Sequence, residues 1–226
     1  MARSRYRWIF AVGVAVAVLA APGCGGSTRS SPTPLSSSQT TTSAAPAPAD
    51  AADAAEAGVR GLLLKAGEIG ASFREAQLSA PTSTPLPCGQ PDPRTVIVPK
   101  TEVVSLANDY LEGVGVAENL SVFADADAAQ HVFTLLRDGY GCGQGSVAGA
   151  AEAPTTVKLS TPEDVTADIG AQEAFTVDID TGSSLITTIA ARVDEYVAVF
   201  QIGSNGRASA NQLQLAKSGV AKIVRR

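Results

Sequence analysis

The sequence predicts an α+β domain, in which a single twisted, mainly antiparallel sheet is covered by two or three helices and one disulfide is present. Two observations lead to this fold class. Short β-rich runs follow one another with only turns between them, which favours antiparallel pairing. Two amphipathic segments elsewhere in the chain need the apolar face of a sheet to cover. About 165 residues take part, which is enough for a proper core.

The first predicted elements are a helix and two strands. Residues 62–73 (LLLKAGEIGASF) predict a short helix with three inward side chains, Leu64, Ile69 and Phe73. Residues 80–93 form a proline-rich loop. Strands are predicted over residues 95–110 and 114–124, the second with a fair alternation of apolar positions.

The strongest helix signal lies at residues 125–139. Asp125 or Asp127 can cap its N-terminus. One apolar stripe runs along it, made by Ala129, Val132, Phe133 and Leu136. The spacing of these four positions is that of one face of a helix.

The second half of the chain is a run of strands closed by a helix. The β runs cover residues 155–160, 173–180, 184–193 and 195–203. Residues 208–226 predict a final helix whose inner face holds Leu213, Ala216, Val220 and Ile223. The predicted order is therefore α-β-β-α-β-β-β-β-α.

Residues 1–23 have the layout of a secretory signal peptide. Arg3, Arg5 and Arg7 precede an uncharged run of 14 residues, Trp8 to Ala21. A helix that spans a bilayer needs about 20 apolar residues, so this run is too short to be a comfortable anchor.

The end of this run, AAPGC, resembles the lipobox of bacterial lipoproteins. In that family the cysteine becomes the first mature residue and its thiol carries a diacylglycerol. Gly23 and Cys24 match the pattern, whereas Ala21 and Pro22 depart from it. The resemblance implies that Cys24 is lipidated and holds the protein at the outer face of the cell membrane. The alternative is an ordinary signal peptide cut after a small residue, with Cys24 left as a spare thiol.

Residues 24–57 are predicted to form a disordered tether. Between residues 25 and 49, 20 of the 25 residues are Ser, Thr, Pro or Ala, which bury too little surface to order a chain. Residues 49–58 (ADAADAAEAG) predict a short helical lead-in. The folded domain is predicted to span residues 58–226.

The chain has three cysteines. An exported protein with an odd number of cysteines needs a use for the one left over. If Cys24 is lipidated, Cys88 and Cys142 remain, and an oxidising compartment favours a disulfide between them.

Charge and composition argue against several classes of partner. The signal peptide holds three of the 17 basic residues and none of the 22 acidic ones, so the mature chain carries a net charge of −8. Such a surface repels nucleic acid and anionic lipid headgroups, and neither is predicted as a partner. The only tryptophan, Trp8, lies in the signal peptide.

No cofactor or metal is predicted. His131 is the only histidine, which excludes a cluster of histidine ligands, and we expect it on the surface. A group of acidic residues predicts a solvated face instead of a calcium loop. Its members are Glu163, Asp164, Asp168, Glu173, Asp178 and Asp180.

Residues 175–184 (FTVDIDTGSS) present Asp180 in an Asp-Thr-Gly motif that resembles the catalytic motif of aspartic proteases. That chemistry needs two carboxylates that share one proton. The chain has a single such motif, and only a hairpin separates it from the QIG at Gly203, where a brace would stand. We therefore predict that Asp180 begins a turn and is not catalytic.

The order of these features resembles the extracellular sensor domain of the mycobacterial PknH-type kinases, which also occurs alone in actinobacterial lipoproteins. The resemblance covers residues 60–226 and rests on GLLLKAGEIG, the proline-flanked Cys88, VFADADAAQHVF, Cys142, and the closing strands and helix. It implies a ligand-binding or sensing module with a cleft between sheet and helix. The kinase-linked domain has two disulfides where this chain can form one. The sequence holds no kinase, so no signalling output is implied.

The sequence therefore predicts a lipid-anchored, non-enzymatic envelope protein that binds or senses a ligand outside the membrane. Its expected partners are the membrane, through Cys24, and a small molecule, a cell-wall component or an envelope protein. Two alternatives stay open. The domain could carry an apolar lipid inside the sheet or, less favoured, act as an aspartic-protease-like hydrolase through Asp180.

Overall fold

The computed structural model describes most of the predicted domain. The described residues are 48–76, 85–109, 112–147, 154–204 and 211–226, with the side chains of residues 48–51 excepted. The predicted signal peptide, Cys24 and the tether up to residue 47 lie outside them. In these ranges, no helix is both long and apolar enough to cross a membrane.

The described chain forms a single sheet with helices, and every strand pair is antiparallel, so the predicted fold class is confirmed. The strands are β1 (Arg74–Glu75), β2 (Thr101–Asp109), β3 (Val114–Val122), β4 (Gln144–Val147), β5 (Thr155–Leu159), β6 (Glu163–Asp164), β7 (Glu173–Asp180), β8 (Leu185–Val193) and β9 (Tyr196–Ser204). The helices are α1 (Pro48–Arg60), α2 (Ala66–Ile69), α3 (Ala126–Gly139), α4 (Thr166–Ile169) and α5 (Gln212–Val224), with a 3-10 helix at Pro93–Thr95.

Strands β3 and β9 join the two halves of the sheet. The spatial order is β1-β2-β3-β9-β8-β7-β5-β4, and β6 pairs with β7 beside this path. Hairpins connect β2 to β3, β7 to β8, and β8 to β9, whereas the β3–β9 contact pairs Val116 with Ile202 across most of the domain. The central strands are therefore β3, β9 and β8.

Helix α3 forms as predicted. Asp125 is its N-cap, and the Asp125 side chain accepts a 2.8 Å hydrogen bond from the amide of Ala128. All four residues of the predicted stripe are at most 2 % exposed. The capping bond satisfies one of the amides that a helix start leaves open. Helix α1 likewise confirms the predicted helical lead-in.

Helices cover both faces of the central strands. One core cluster lies between the sheet and α1, α4 and α5, and includes Leu120, Ile189 and Phe200. The other lies under α3 and includes Phe133 and Phe175. Because both faces are covered, every residue of β3 from position 115 to 121 is buried, including three polar ones: Glu118, Asn119 and Ser121. The strand predicted from alternating apolar positions therefore carries buried polar side chains on both of its faces.

Three predicted details are wrong. The strand predicted from residue 95 begins at Thr101, because residues 93–95 form the 3-10 helix. The helix predicted over residues 62–73 shrinks to the single turn of α2. Leu213, predicted to face inward, is 38 % exposed. Four short elements had no clear sequence signal: β1, β4, β6 and α4.

The predicted Cys88–Cys142 disulfide is present, with its Cα atoms 5.8 Å apart. It ties the loop before the 3-10 helix to the chain that leaves α3. The two segments also approach closely at glycines. A Cβ atom on Gly139 would lie 2.1 Å from the Leu86 side chain, and one on Gly145 would lie 2.1 Å from the Pro87 carbonyl oxygen. The bridge therefore closes a junction that is already tightly packed.

Candidate functional site

A group of buried and half-buried polar side chains lies on the sheet face that α3 covers. We call it the polar cluster; its members are Asp92, Arg94, Glu102, Asn119 and Ser121. The most exposed of these side chains is Glu102, at 14 %. Polar and charged side chains are rarely buried in a protein unless they form hydrogen bonds or ion pairs there.

The 3-10 helix supplies the first two members. Asp92 caps this helix, and its Oδ1 accepts a 3.0 Å hydrogen bond from the amide of Arg94. The Arg94 guanidinium turns back onto the same carboxylate, with Nε 2.9 Å from Oδ1. The fork of Arg94 is thereby fixed by a residue only two positions away.

The sheet supplies the other three members. Glu102 of β2 lies directly opposite Ser121 of β3 in the strand register. Glu102 Oε1 accepts hydrogen bonds from Arg94 Nη1 at 3.0 Å and from Asn119 Nδ2 at 2.6 Å. Ser121 Oγ donates to Asn119 Oδ1 at 3.1 Å. One carboxylate oxygen is thus the meeting point of the 3-10 helix and both strands.

Charge pairing keeps Arg94 protonated. Burial alone would lower the pKa of the Arg94 guanidinium, but the hydrogen bond and charge of Asp92, together with Glu102, outweigh burial and raise this pKa. The cluster carries two carboxylates and one guanidinium, so its formal charge is −1. A buried network of this sort contributes little net stability compared with apolar side chains of similar size.

Three further polar side chains continue the cluster along the sheet. Tyr140, just after α3, is 6 % exposed, and burial raises the pKa of its phenol. Its hydroxyl lies near Gln201 of β9 and Thr188 of β8, which are cross-strand neighbours. The Thr188 hydroxyl is fully buried and makes no hydrogen bond of good geometry with the described residues.

Beyond Tyr140, the same face of the sheet is less fully covered. The half-buried side chains there are Val104, Leu106, Ile186 and Gln201. The strand register places them around Ala117, at the far end of the sheet face from the core of α3. We call these four residues the open strip. It combines apolar side chains with the amide of Gln201, which suits a small polar ligand.

The loop that contains Cys88 leads into the polar cluster and is fixed at its base. The Pro87 carbonyl accepts a 2.8 Å hydrogen bond from the amide of Ser146 in β4, and the Gly139 carbonyl at the end of α3 accepts one from the amide of Cys88. Asp92 and Arg94 follow this loop by a few residues. The position of Arg94 over the sheet therefore depends on the junction that the Cys88–Cys142 bridge closes.

The residues examined for chemistry in the sequence lie away from this site. His131 is exposed on α3, as expected. Asp180 ends β7, and its Oδ1 accepts a 2.7 Å hydrogen bond from the amide of Gly182, which has a φ of 81°. The predicted turn role of Asp180 is thus confirmed. No group of three potential metal ligands occurs within the described ranges.

A concave region lies at the opposite end of the sheet. It is an open pocket of about 600 Å³ beside the β8–β9 turn. Its lining mixes polar and apolar residues and includes Gln172, Asp194, Tyr196, Ile223 and Arg226. Its polar groups are already paired: Gln172 binds Asp194, and the Arg226 guanidinium lies 4.1 Å from the centre of the Tyr196 ring.

Comparison with known proteins finds a likeness in structure. No family model matches the chain, and no curated protein matches it by sequence. The crystal structure of the extracellular domain of PknH from Mycobacterium tuberculosis matches with a TM-score of 0.55 and 14 % identity. The match covers 76 % of this chain and 97 % of that domain. The chain therefore shares the fold of the PknH extracellular domain, as its sequence features indicated.

Proposed function

We propose that this domain is an extracytoplasmic sensing module that binds a small polar ligand on the open strip, with the polar cluster as its rim. The observation that carries the proposal is the set of buried polar side chains that converge on Glu102 Oε1. Apolar side chains would give a core of similar stability at this place. Ligand binding would explain why the polar cluster lies next to the partly exposed open strip.

The fold is consistent with this role, since the PknH domain that shares it is extracellular. In this proposal the domain is non-enzymatic. An apolar lipid carrier fits the structure less well, because the pocket at the β8–β9 turn carries charged groups among its lining residues. An acyl chain would leave such groups without water.

A thermal-shift and calorimetric screen tests the binding proposal. The probes are N-acetylglucosamine and the dipeptide D-alanyl-D-alanine as soluble pieces of a cell wall. Gln201→Leu removes the half-buried amide of the open strip, and Gln214→Leu removes an exposed amide of α5 as a matched control. We expect a probe that binds the wild type to bind Gln201→Leu several-fold more weakly and Gln214→Leu unchanged. Equal binding by all three proteins would contradict the proposed site.

We also propose that the protein is a lipoprotein anchored through Cys24. The charged n-region, the short apolar run and the APGC ending support this. Cys24→Ala should move the protein from the membrane fraction to the medium. A variant that stays in the membrane fraction would show that the apolar run itself is the anchor.

A further inference from the structure

A buried carboxyl group lies on the sheet face opposite the polar cluster. Glu118 occupies the middle of β3 and is 1 % exposed. Its cross-strand neighbours are Ser105 and Phe200. A Cβ atom placed on Gly219 of α5 would lie 3.2 Å from Glu118 Oε1 and 2.6 Å from the Phe200 ring. Helix α5 therefore rests directly on this carboxyl group.

The connection between α1 and α2 is held by ionisable side chains. We call residues 61–65 the strap. The amide of Leu64 donates a 2.7 Å hydrogen bond to Glu118 Oε2. Lys222 of α5 donates from Nζ to the carbonyl of Leu63 at 2.6 Å and to Glu68 Oε2 at 2.9 Å. The peptide group between Leu63 and Leu64 is thus held at both ends, its N–H by a carboxyl group and its carbonyl by an ammonium group.

The second oxygen of Glu118 has no such contact. Glu118 Oε1 is fully buried and has no hydrogen-bond partner among the described residues. An ionised carboxylate needs donors or water at both oxygens, so burial beneath the strap and α5 disfavours the charged form of Glu118. Lifting the strap uncovers the Oε2 side of this carboxyl group to water.

We propose that Glu118 and the strap form a proton-dependent latch: the strap lies closed on β3 while Glu118 is protonated and opens more often once Glu118 is ionised. Leu63 and Leu64 are each 5 % exposed, so opening also uncovers apolar surface and stays a rare event. The strap continues into α1 and the predicted tether. Proton uptake would therefore set how firmly the N-terminal end of the domain is fastened to the sheet.

The surrounding charges agree with this direction. Burial is the largest influence and raises the pKa of Glu118 from 4.5 to about 7. The hydrogen bond from Leu64 and the ammonium of Lys222 act to lower this pKa, and Glu68 acts to raise it. The neighbours on β2 and β9, Ser105 and Phe200, carry no ionisable group.

The sign of the pH effect follows from linkage. In the closed state the pKa of Glu118 is about 7, and in the open state, where Glu118 meets water, its pKa falls toward the ordinary value of 4.5. The closed state therefore has its full advantage below the lower value and loses it as pH rises through the higher one. Across this window the opening equilibrium constant should rise by up to about a hundredfold, because each unit of pKa difference is tenfold.

Hydrogen exchange of the Leu64 amide in the full chain tests the latch. The opening constant is the observed rate divided by the intrinsic rate at each pH. For the wild type we expect a large rise between pH 5 and 8, with the amide of Leu159, far from the strap, showing no such rise. Glu118→Gln keeps an acceptor for Leu64 and should abolish the rise. Glu112→Gln, an exposed glutamate in the β2–β3 connection, should keep it.

A second variant keeps the test decisive if Glu118→Gln does not fold. Lys222→Met removes the ammonium that lowers the pKa of Glu118, so the rise should move to higher pH. A pH-independent opening constant in the wild type would overturn the latch. So would a rise that survives in Glu118→Gln, or one that does not move in Lys222→Met.

Discussion

Asn119 donates a 2.6 Å hydrogen bond to the oxygen of Glu102 that also accepts from the guanidinium of Arg94. The amide of Asn119 and the guanidinium of Arg94, which come from different segments of the chain, thus bind the same carboxylate oxygen. Because Asn119 and Glu102 lie on paired strands, the sheet fixes this geometry before any ligand arrives. Preorganised polar groups of this kind favour specific recognition.

Loss of the central cation should be costly. Arg94→Met leaves two carboxylates buried without their partner, so we expect the free energy of unfolding to fall by about 3 to 5 kcal/mol at pH 7. Urea denaturation measures the change. Arg60→Met is the control, because the Arg60–Glu56 pair is more than half exposed on both sides and should change stability by less than about 1 kcal/mol. Equal losses of stability in Arg94→Met and Arg60→Met would mean that the polar cluster depends no more on its cation than an exposed ion pair does.

The close approach at Gly145 should not tolerate a side chain. A Cβ atom there meets the backbone carbonyl of Pro87, so Gly145→Ala should lower the free energy of unfolding by about 1 to 3 kcal/mol. In Gly58→Ala, the new methyl group has nothing within 4 Å and a helix gains an alanine. That variant should be neutral or up to about 1 kcal/mol more stable. A neutral Gly145→Ala would show that the loop shifts freely.

Removal of the disulfide should act on stability and on the polar cluster together. The double variant Cys88→Ala, Cys142→Ala should lose about 2 to 5 kcal/mol of the free energy of unfolding. Since the bridged loop leads into Arg94, the NMR signal of its guanidinium Nε–H should also broaden or shift. Peptide mapping without reductant should find the Cys88–Cys142 pair. An unchanged Arg94 signal would mean that the cluster is held by the sheet alone.

Asp180 should matter only to its turn. Asp180→Asn keeps an oxygen that can accept from the amide of Gly182, so it should fold with unchanged stability. Asp180→Ala loses this bond and should cost about 1 kcal/mol. Neither variant should change peptide hydrolysis between pH 3 and 6. If the wild type shows pepstatin-sensitive cleavage and Asp180→Asn does not, then Asp180 is catalytic and the domain is an enzyme.

Local patterns in the sequence were enough for the elements that carry one apolar period. The stripe on α3 and the runs of β8 and β9 are examples, and each lies within two residues of its predicted bounds. The sequence pattern also placed Leu213 on such a stripe, but this residue lies in the first turn of α5 and is 38 % exposed. A helical period predicts which residues share a face, not how far the partner layer extends.

The polar cluster had no local signal. Arg94 and Glu102 are separated by an irregular stretch, and Asn119 comes from another strand. Their meeting depends on the β2–β3 register and on the 3-10 helix, which no periodicity encodes. Glu118 was hidden for a different reason. It occupies a position of the apolar alternation in β3, and its burial follows only once α5 and the strap cover that face.

The most direct test of the binding site is an NMR titration of the wild-type domain with a ligand found in the screen. The side-chain amide signals of Asn119, Gln201 and Gln172 report on three places: the polar cluster, the open strip and the pocket at the β8–β9 turn. We expect the signals of Gln201 and Asn119 to move with ligand concentration while that of Gln172 stays fixed. Movement of Gln172 alone would contradict it and would place the ligand at the other end of the sheet.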